Sequence, residues 1–242
     1  MLFIGDIMKR RILAVIGCVL FLTGCMARDM TEQVSTTTID WEETHYVALT
    51  FDDGPSTRYT EKLLDGLKER DVHATFFVIG NLAEENEKLL QRMASEGHQI
   101  GNHSFDHAQL DRIETAQALE DLNRCDEVLC RLLGEDTYWV RPPYGLINDG
   151  ELCRIAAPLV CWSVDTRDWE LKDADKVLDI ILRETEDGDI ILMHDQYKTS
   201  VEAALRAVDR LSARGVRFVT VKELFAIKGV EPTCGKVYRR TK

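Results

Sequence analysis

Short apolar runs alternate with longer amphipathic stretches along most of this chain, and this alternation limits its fold more than any other feature. The apolar runs predict strands at Tyr46–Phe51, Ala74–Ile79, Tyr138–Val140, Leu159–Val164, Ile190–Met193 and Val216–Val221. Apolar residues at three- and four-residue spacing predict helices at Thr60–Arg70, Leu82–Glu96, Thr115–Leu133, Ala174–Glu184 and Val201–Ala213. Such alternation indicates parallel strands joined by crossover helices, in an α/β barrel or a doubly wound sheet.

Chemically reactive side chains follow several of the predicted strands. The pair Asp52-Asp53 follows the first apolar run, and the further candidates are His103, His107, Arg141, Asp165 and His194. In barrel enzymes the loops after the strands build the active site, whereas a doubly wound sheet concentrates such groups at one switch point. The distribution therefore favours the barrel.

The chain divides into four predicted segments. Its 242 residues, 45% of them hydrophobic, suffice for one sizeable core. We predict a signal peptide at 1–24, a tether at 25–44, one folded domain at 45–230 and a C-terminal tail at 231–242. The tether prediction rests on the many Thr, Glu and Gln residues and the few apolar positions in that stretch.

The N-terminal residues have the pattern of a secretory signal. Lys9-Arg10-Arg11 precede an apolar run at 12–22. This run is shorter than the ~20 residues of a membrane-spanning helix, so a permanent transmembrane anchor is the weaker alternative. Leu22-Thr23-Gly24-Cys25 resembles the lipobox of bacterial lipoproteins, which implies export, lipidation at Cys25 and attachment to the outer face of the cell membrane. Met8 is an alternative translation start.

Two histidines and one carboxylate have the spacing of a metal site. The four-residue separation of His103 and His107 predicts that both imidazoles lie on one side of a helical turn. With Asp53 they form a set that leaves coordination positions open to water and substrate. Each motif alone has an ordinary alternative, a solvated helix start or an Asp-containing turn. The combination is what indicates metal binding.

Taken together, the motifs resemble those of the polysaccharide deacetylases, the NodB-like domain of carbohydrate esterase family four. The segments that carry the resemblance are Thr50–Ser56, His103–His107, Arg141–Gly145, Asp165–Trp169 and Leu192–His194, in the family's order. The resemblance implies a distorted (β/α) barrel of about seven parallel strands. It also implies a metal-dependent enzyme that removes acetyl groups from N-acetylated sugars, usually with Zn2+, although Co2+ and other divalent ions are tolerated.

The resemblance further implies roles for individual residues. Asp53, His103 and His107 would hold the metal, and Asp52 would act as the general base. The backbone N–H of Tyr144 would help to stabilise the tetrahedral oxyanion.

The remaining motif residues would support the acid and the base. His194 would protonate the leaving nitrogen, and a nearby carboxylate makes an imidazole more basic, which is the role we assign to Asp165. Arg141 would orient Asp52. A structural ion pair is the alternative for Arg141, and a strand-end turn is the alternative for Asp165.

Trp169 and Leu192 are candidate walls of an acetyl pocket. Core packing is nearly as well supported for Leu192, because its strand is apolar throughout. Asp168 and Asp106 are expected in supporting or solvent-exposed positions. The surface at the opposite barrel end is the position expected for His45, His73 and His98.

The charge of the chain restricts its partners. The formal net charge is −12, and cleavage before Cys25 would remove a net +2 and leave −14. A nucleic-acid partner is therefore not expected. The negative charge also gives no long-range attraction to an anionic cell-wall polymer, so a neutral stretch of glycan suits this surface better.

The leading hypothesis is a metal-dependent N-deacetylase that acts on N-acetylglucosamine-type glycans, with bacterial peptidoglycan as the nearest substrate to a membrane anchor. One alternative is an O-acetyl esterase on a polysaccharide such as xylan, since the same metal and base can cleave esters. A second alternative is a non-catalytic wall-binding protein of the same fold. The presence of both Asp52 and His194 argues against that alternative.

Overall fold

The computed structural model describes residues 44–134 and 137–241. Cys25, the predicted signal peptide and nearly all of the predicted tether lie outside these residues. Within the described residues, every helix is too short or too polar to cross a membrane.

The structure is an α/β fold built around a curved, mostly parallel sheet. Its strands are β1 (Tyr46–Gly54), β2 (Thr75–Val78), β3 (Gln99–Asn102), β4 (Leu159–Val160), β5 (Val164–Asp165), β6 (Ile190–His194), β7 (Arg217–Val219) and β8 (Val237–Tyr238). The main ladder has the order β3-β2-β1-β6-β5, and β7 also pairs with β1. All these pairings are parallel. The long strand β1 is therefore the centre of the sheet.

Isolated bridges continue the sheet towards closure. Val140 bridges Asn102 at the end of β3 and Leu159 at the start of β4. Strand β5 follows β4 closely in the chain and pairs with β6, which pairs with β1. This arrangement confirms the predicted barrel. The predicted strand Tyr138–Val140 is reduced to the bridge at Val140, and the predicted strand Leu159–Val164 is interrupted between β4 and β5.

Helices connect the strands and cover the sheet. They are α1 (Thr60–Glu69), α2 (Gly80–Glu85), α3 (Glu87–Ser95), α4 (Thr115–Leu133), α5 (Asp149–Leu152), α6 (Asp168–Leu171), α7 (Ala174–Glu184), α8 (Lys198–Ser212) and α9 (Val221–Ile227). The predicted bounds of α4 and α7 are confirmed. The predicted helix Leu82–Glu96 is two helices, because Asn86 leaves the helical conformation between α2 and α3.

Alternation along β1 decides which side chains face the site. Val47, Leu49 and Phe51 pack in the large cluster that contains the apolar residues of α1. Successive side chains of a strand point to opposite faces, so Thr50 and Asp52 face the barrel interior. Tertiary contacts agree, because both side chains accept hydrogen bonds from the same buried arginine. A carboxylate thus enters the barrel at the carboxyl end of its central strand.

The C-terminal segment corrects the predicted tail at 231–242. Strand β8 lies in this segment and pairs with β4. Tyr238 is buried with its ring 5.1 Å from that of Phe225, which in turn lies 5.0 Å from Trp139. A two-residue strand between basic residues has too little periodicity to be recognised from sequence. The domain therefore continues to at least residue 241.

Replacing Tyr238 by alanine should destabilise the protein. The substitution removes the ring from the Phe225 contact and should lower the free energy of unfolding by about 3 kcal/mol, as expected for truncation of a buried aromatic side chain. Guanidinium denaturation measures this change. Ile227→Ala, at a position that is largely exposed, is the control and should cost less than about 1 kcal/mol. Equal stability of Tyr238→Ala and wild type would show that the segment is not part of the folded domain.

Candidate active site

Reactive side chains from distant parts of the chain meet at the carboxyl ends of the strands. Asp52 lies near the end of β1 and is the register partner of His194, the last residue of β6. His103 directly follows β3, and Arg141 directly follows the bridge at Val140. The parallel register brings these groups to one edge of the sheet, as in other barrels of this type.

Arg141 is fully buried and holds the Asp52 carboxylate. One of its terminal nitrogens, Nη1, lies 2.7 Å from Asp52 Oδ1 and 2.8 Å from Thr50 Oγ1. The other guanidinium nitrogens donate to the carbonyl oxygens of Val160 and Cys161 at 2.9 and 3.0 Å. A buried cation is stable only when its donors are satisfied and its charge is paired. Arg141 therefore fixes both the position and the orientation of Asp52.

Asp53 faces the two histidines. Its Oδ1 atom lies 3.4 Å from His103 Nε2 and 3.1 Å from His107 Nε2. Ligand atoms of the three residues all lie within 4.8 Å of one another. Burial acts to raise the pKa of Asp53, but the close contacts and positive charge of the two histidines outweigh it and hold the pKa well below its usual range. The three predicted metal ligands are thus brought together.

The ligand atoms of these residues suit a bound cation. His103 Nδ1 lies 2.6 Å from the carbonyl oxygen of Arg141. That oxygen can only accept, so Nδ1 carries a proton, and the other ring nitrogen, Nε2, faces Asp53 at 3.4 Å. Asp53 Oδ1 is buried without a hydrogen-bond partner of good geometry. Two imidazole nitrogens and one carboxylate oxygen that converge in this way are the ligand types that Zn2+ and Co2+ prefer.

The two histidines do not lie on a helical turn, which corrects the sequence prediction. The segment from 103 to 107 is a loop, and both Ser104 and His107 have positive φ angles, 65° and 57°. These left-handed residues turn the chain so that His107 returns towards His103, and the ring centroids lie 5.0 Å apart. The four-residue spacing therefore works through loop geometry.

Helix α4 anchors this loop, which carries two of the three candidate metal ligands. Asp121 is buried, and its carboxylate oxygens accept the backbone N–H groups of Phe105 and Asp106 at 3.2 Å each. Asn102 accepts the N–H of Ser104 at 2.8 Å and donates to the Leu122 carbonyl. Sequence reasoning missed Asp121, since an Asp within an amphipathic helix is ordinarily a surface residue.

His194 is paired with Asp168, which corrects the assignment of that role to Asp165. Asp168 Oδ1 lies 2.8 Å from His194 Nδ1, and Asp168 Oδ2 accepts the backbone N–H of His194 at 2.8 Å. Asp165 is exposed and accepts the N–H of Arg167 in a local turn. Arg167 adopts a left-handed conformation directly before α6. This turn directs Asp168, and not Asp165, into the barrel.

The Asp168 contact controls the charge of His194. Burial disfavours the imidazolium, but the hydrogen bond and negative charge of Asp168, with smaller contributions from Asp52 and Asp53, raise the pKa of His194 to about 9. The ring is therefore protonated at neutral pH. Its Nε2 atom lies 4.0 Å from Asp53 Oδ2, so a proton donor faces the candidate metal ligands.

Asp195 and Gln196, which directly follow His194, were not recognised from sequence. Asp195 is fully buried, and burial raises its pKa to about 7. It accepts a hydrogen bond from Thr60 Oγ1 and lies so close to Gly54 that a Cβ there would be 2.6 Å from Oδ2. Gln196 Nε2 donates to the Asp53 carbonyl at 2.9 Å. These contacts fix the turn after β1. The signal in the sequence that could have identified Asp195 and Gln196 is that they directly follow His194.

The three predicted substrate-binding residues occupy different environments. Tyr144 is 58% exposed, has a φ of 61°, and its ring centroid lies 4.9 Å from that of His107. Trp169 is 49% exposed, whereas Leu192 is buried at 3%. Tyr144 therefore flanks the candidate metal ligand His107, and the indole of Trp169 is exposed enough to contact a ligand. His98, expected at the surface, is buried and accepts the N–H of Ala74.

This geometry is that of a hydrolase, and comparison with known proteins gives its family. The sequence profile described as polysaccharide deacetylase matches residues 42–157. A deacetylase designated T48, whose structure was solved with substrate, is 42% identical; the match covers 83% of this chain and 99% of that one, with a TM-score of 0.77. The chain belongs to the polysaccharide deacetylase family.

Two further relatives show the range of the family. The peptidoglycan-N-acetylglucosamine deacetylase of Listeria monocytogenes is 40% identical over 75% of this chain, which spans 39% of the relative's length. An acetyl xylan esterase from Clostridium thermocellum, solved with a cobalt ion, is 30% identical, covers 81% of this chain and 98% of its own, and has a TM-score of 0.76. The relatives thus include enzymes named for both amide and ester substrates.

Removing the Asp168 carboxylate should lower the pKa of His194. In Asp168→Asn the main interaction that favours the imidazolium is lost while burial remains, so the pKa should fall from about 9 towards or below its ordinary value near 6.5. NMR titration of the His194 ring measures this shift. Asp165→Asn is the matched control and should leave the pKa unchanged. A shift in the control alone would restore the assignment to Asp165.

Removing the Asp121 carboxylate should weaken metal binding. Asp121→Ala frees the backbone of the metal-binding loop and should raise the Kd for Zn2+ about 10- to 100-fold, as for other residues that hold metal ligands in place. Calorimetry gives the Kd, and the visible spectrum of bound Co2+ reports the ligand geometry. Glu120→Ala, an exposed neighbour on α4, is the control. An unchanged Kd in Asp121→Ala would show that the loop holds its form without α4.

Proposed function

We propose that this protein is a metal-dependent N-deacetylase of N-acetylglucosamine-type glycans, most favourably of bacterial peptidoglycan. The observation that carries the proposal is the grouping of three elements at one barrel edge. They are the Asp52 carboxylate held by Arg141, the set Asp53, His103 and His107, and the charged His194 beside Asp168. Amide hydrolysis needs a base, a stabilised oxyanion and an acid for the leaving amine, and these groups are suited to all three tasks.

Asp53, His103 and His107 would hold the divalent ion, most favourably Zn2+, with Co2+ as an alternative. When bound there, the ion would polarise the acetyl carbonyl and acidify water. The cobalt ion in the esterase from C. thermocellum supports the alternative. His103 is prepared for this task, because its hydrogen bond to the Arg141 carbonyl directs Nε2 towards Asp53.

Asp52 would accept the proton of the attacking water. Its Oδ1 is engaged by Arg141, while its Oδ2 lies 3.7 Å from His103 Nε2 and faces the metal-binding set. One oxygen thus fixes the carboxylate, and the other is available for proton transfer. The backbone N–H of Tyr144 would donate to the developing oxyanion.

His194 would donate a proton to the leaving nitrogen. Because its pKa is about 9, the imidazolium is present at neutral pH, and the Asp168 hydrogen bond fixes the ring so that Nε2 faces the site. Trp169 and Leu192 would form walls of the acetyl pocket. Trp169 would contribute its exposed face, and Leu192 would contribute from the barrel wall. Tyr144, exposed beside His107, would contact the sugar.

Peptidoglycan is favoured as substrate by the names of the relatives, among them the enzyme from L. monocytogenes. A wall substrate is consistent with export of the protein. Lipidation at Cys25 would keep the enzyme at the outer face of the membrane and close to the wall. The second candidate function, O-acetyl esterase on xylan, is favoured by the relative from C. thermocellum.

Acetate release from purified protein tests the proposed function. The protein is stripped with a chelator, resupplied with Zn2+ or Co2+, and given peptidoglycan, chitopentaose and acetylated xylan. We expect metal-restored release from the N-acetylated glycans. Asp52→Asn should reduce kcat about 10²- to 10⁴-fold, the usual contribution of a general base, whereas the exposed Asp165→Asn should retain activity.

Other outcomes would decide between the alternatives. Release from acetylated xylan alone would establish the esterase function. Metal binding without release from any of the three substrates would favour a non-catalytic wall-binding protein. Full activity after complete removal of the metal would contradict the proposed mechanism.

A further inference from the structure

Two exposed cysteines lie where the C-terminal segment contacts the end of helix α5. Cys153 directly follows α5 and is its C-cap residue, and Cys234 lies in the turn before β8. Both thiols are free and exposed. Exposed free cysteines are uncommon on folded proteins, because cysteine is among the residue types that are most often buried. Two such residues that are 81 positions apart in the chain and lie on adjoining segments indicate a shared role.

Gly235 brings the two segments into contact. Its φ angle is 68°, and a Cβ at this position would lie 2.5 Å from the Leu152 carbonyl oxygen and 3.8 Å from the Cα of Cys153. Since consecutive Cα atoms are about 3.8 Å apart, the Cα atoms of Cys153 and Cys234 lie within about 9 Å of each other. A disulfide spans about 4.4 to 6.8 Å between Cα atoms, so a movement of at most about 2–3 Å joins the pair.

Hydrogen bonds hold the backbone on both sides of Cys234. Gly235 donates its N–H to the Ala157 carbonyl at 3.1 Å. On the other side, the N–H of Thr233 donates to the Tyr238 hydroxyl at 3.0 Å. The turn that carries Cys234 is thus held against the segment that follows α5 before any covalent link forms, which lowers the entropic cost of bringing the two thiols together.

The Cys153 side chain is able to turn towards Cys234. Its Sγ atom lies 3.6 Å from the Gly150 carbonyl oxygen, and a thiol is only a weak donor. The body of α5 is anchored separately, because the buried Glu151 accepts a hydrogen bond from Thr115 Oγ1 at 2.7 Å. The thiol can therefore reorient at little cost while the helix stays in place.

The other described cysteines are less accessible. Cys125 and Cys161 are buried, and burial raises the pKa of both thiols. The thiolate is the nucleophile in disulfide formation, so these two groups react slowly. Cys130 is half-buried on α4. Cys153 and Cys234 are thus the pair that an external oxidant reaches.

We propose that Cys153 and Cys234 form a disulfide when the protein meets an oxidising environment. The thiolate of one cysteine attacks an external disulfide, such as oxidised glutathione, and displaces one thiol. The second cysteine then attacks the mixed disulfide and displaces the other thiol. The pair loses two electrons and two protons, and the external disulfide is reduced to two thiols. Export, which the N-terminal sequence predicts, would place the protein in such an environment.

The disulfide ties the C-terminal segment to the side of the barrel that holds Arg141. Strand β8 pairs with β4, and the carbonyl of Val160 in β4 accepts a hydrogen bond from Arg141 at 2.9 Å. A link between residues far apart in sequence restricts the unfolded chain and so stabilises the folded one. The disulfide therefore stabilises the pairing of β4 with β8 and leaves the reactive groups of the site unchanged.

Peptide mapping tests the pairing directly. Trypsin releases Cys153 in residues 132–154, because it does not cut between Arg141 and Pro142, and Cys234 in residues 229–236; neither peptide contains a second cysteine. The purified protein is equilibrated with oxidised glutathione, its remaining thiols are alkylated, and the digest is analysed by mass spectrometry without reduction. We expect these two peptides to be linked, in chains that run at monomer size on a non-reducing denaturing gel.

Thermal unfolding of the oxidised and reduced forms gives a second measurement. Oxidised wild type should have a Tm about 5–10 °C above that of the reduced protein, as expected for a disulfide that closes a long loop in a domain of this size. Cys234→Ser should abolish both the linked peptides and the redox dependence of the Tm. Cys130→Ser is the matched control and should keep both.

Several results would overturn the proposal. Separate glutathione adducts on Cys153 and Cys234 would show that the two thiols do not reach each other. A link from either residue to another cysteine, or a link found only in chains of dimer size, would assign the pairing elsewhere. Linked peptides with an unchanged Tm would overturn the stabilising role. These measurements use no glycan, so their outcome is independent of the proposed deacetylase function.

Discussion

The buried guanidinium of Arg141 is the interaction on which the rest of the site depends. It joins the carboxylate of Asp52 on β1 to the carbonyl groups of Val160 and Cys161 at the opposite side of the barrel. Its own carbonyl accepts the hydrogen bond that orients His103. An unpaired charge at this depth would cost several kcal/mol, so the barrel can close only when these partners are in place. One residue thereby couples Asp52, His103 and the closure of the sheet, which is why these reactive groups have little freedom to move apart.

Local backbone strain is concentrated at the same place. Among the described non-glycine residues, positive φ angles occur at Asp53, Ser104, His107, Tyr144, Arg167, Asp71 and Lys172, and the first five belong to the site or to the turns that form it. Each such residue costs of order 1–3 kcal/mol unless its surroundings impose the conformation. Asp121 and Gln196 impose it here through hydrogen bonds to the backbone at Phe105 and Asp53. The strain directs two histidines and one carboxylate to a common point, and the scaffold supplies the stabilisation that keeps them there.

Two similar carboxylates near His194 show how local geometry divides roles. Asp165 is the last residue of β5, and Asp168, three residues later, is the first residue of α6. Arg167 lies between them in a left-handed conformation and turns the chain, so that Asp168 points inward and Asp165 stays in solvent.

The distribution of charge on the protein also depends on the local fold. The net charge is −12, yet the fold gathers Lys236 and Arg239 into a groove in which none of the described lining residues is acidic. Composition gives the sum of the charges but not their positions.

The sequence by itself determined the α/β barrel, the bounds of α4 and α7, and most of the residues that meet at the site, because apolar periodicity and residues at strand ends are local properties of the chain. It could not determine the contacts that depend on chain reversal. The inward turn of Asp168, the support of the metal-binding loop by Asp121 and the pairing of β8 with β4 all join segments that are separate in sequence. Only the tertiary structure decides these contacts, because each requires a particular backbone path that the residue types allow but do not specify.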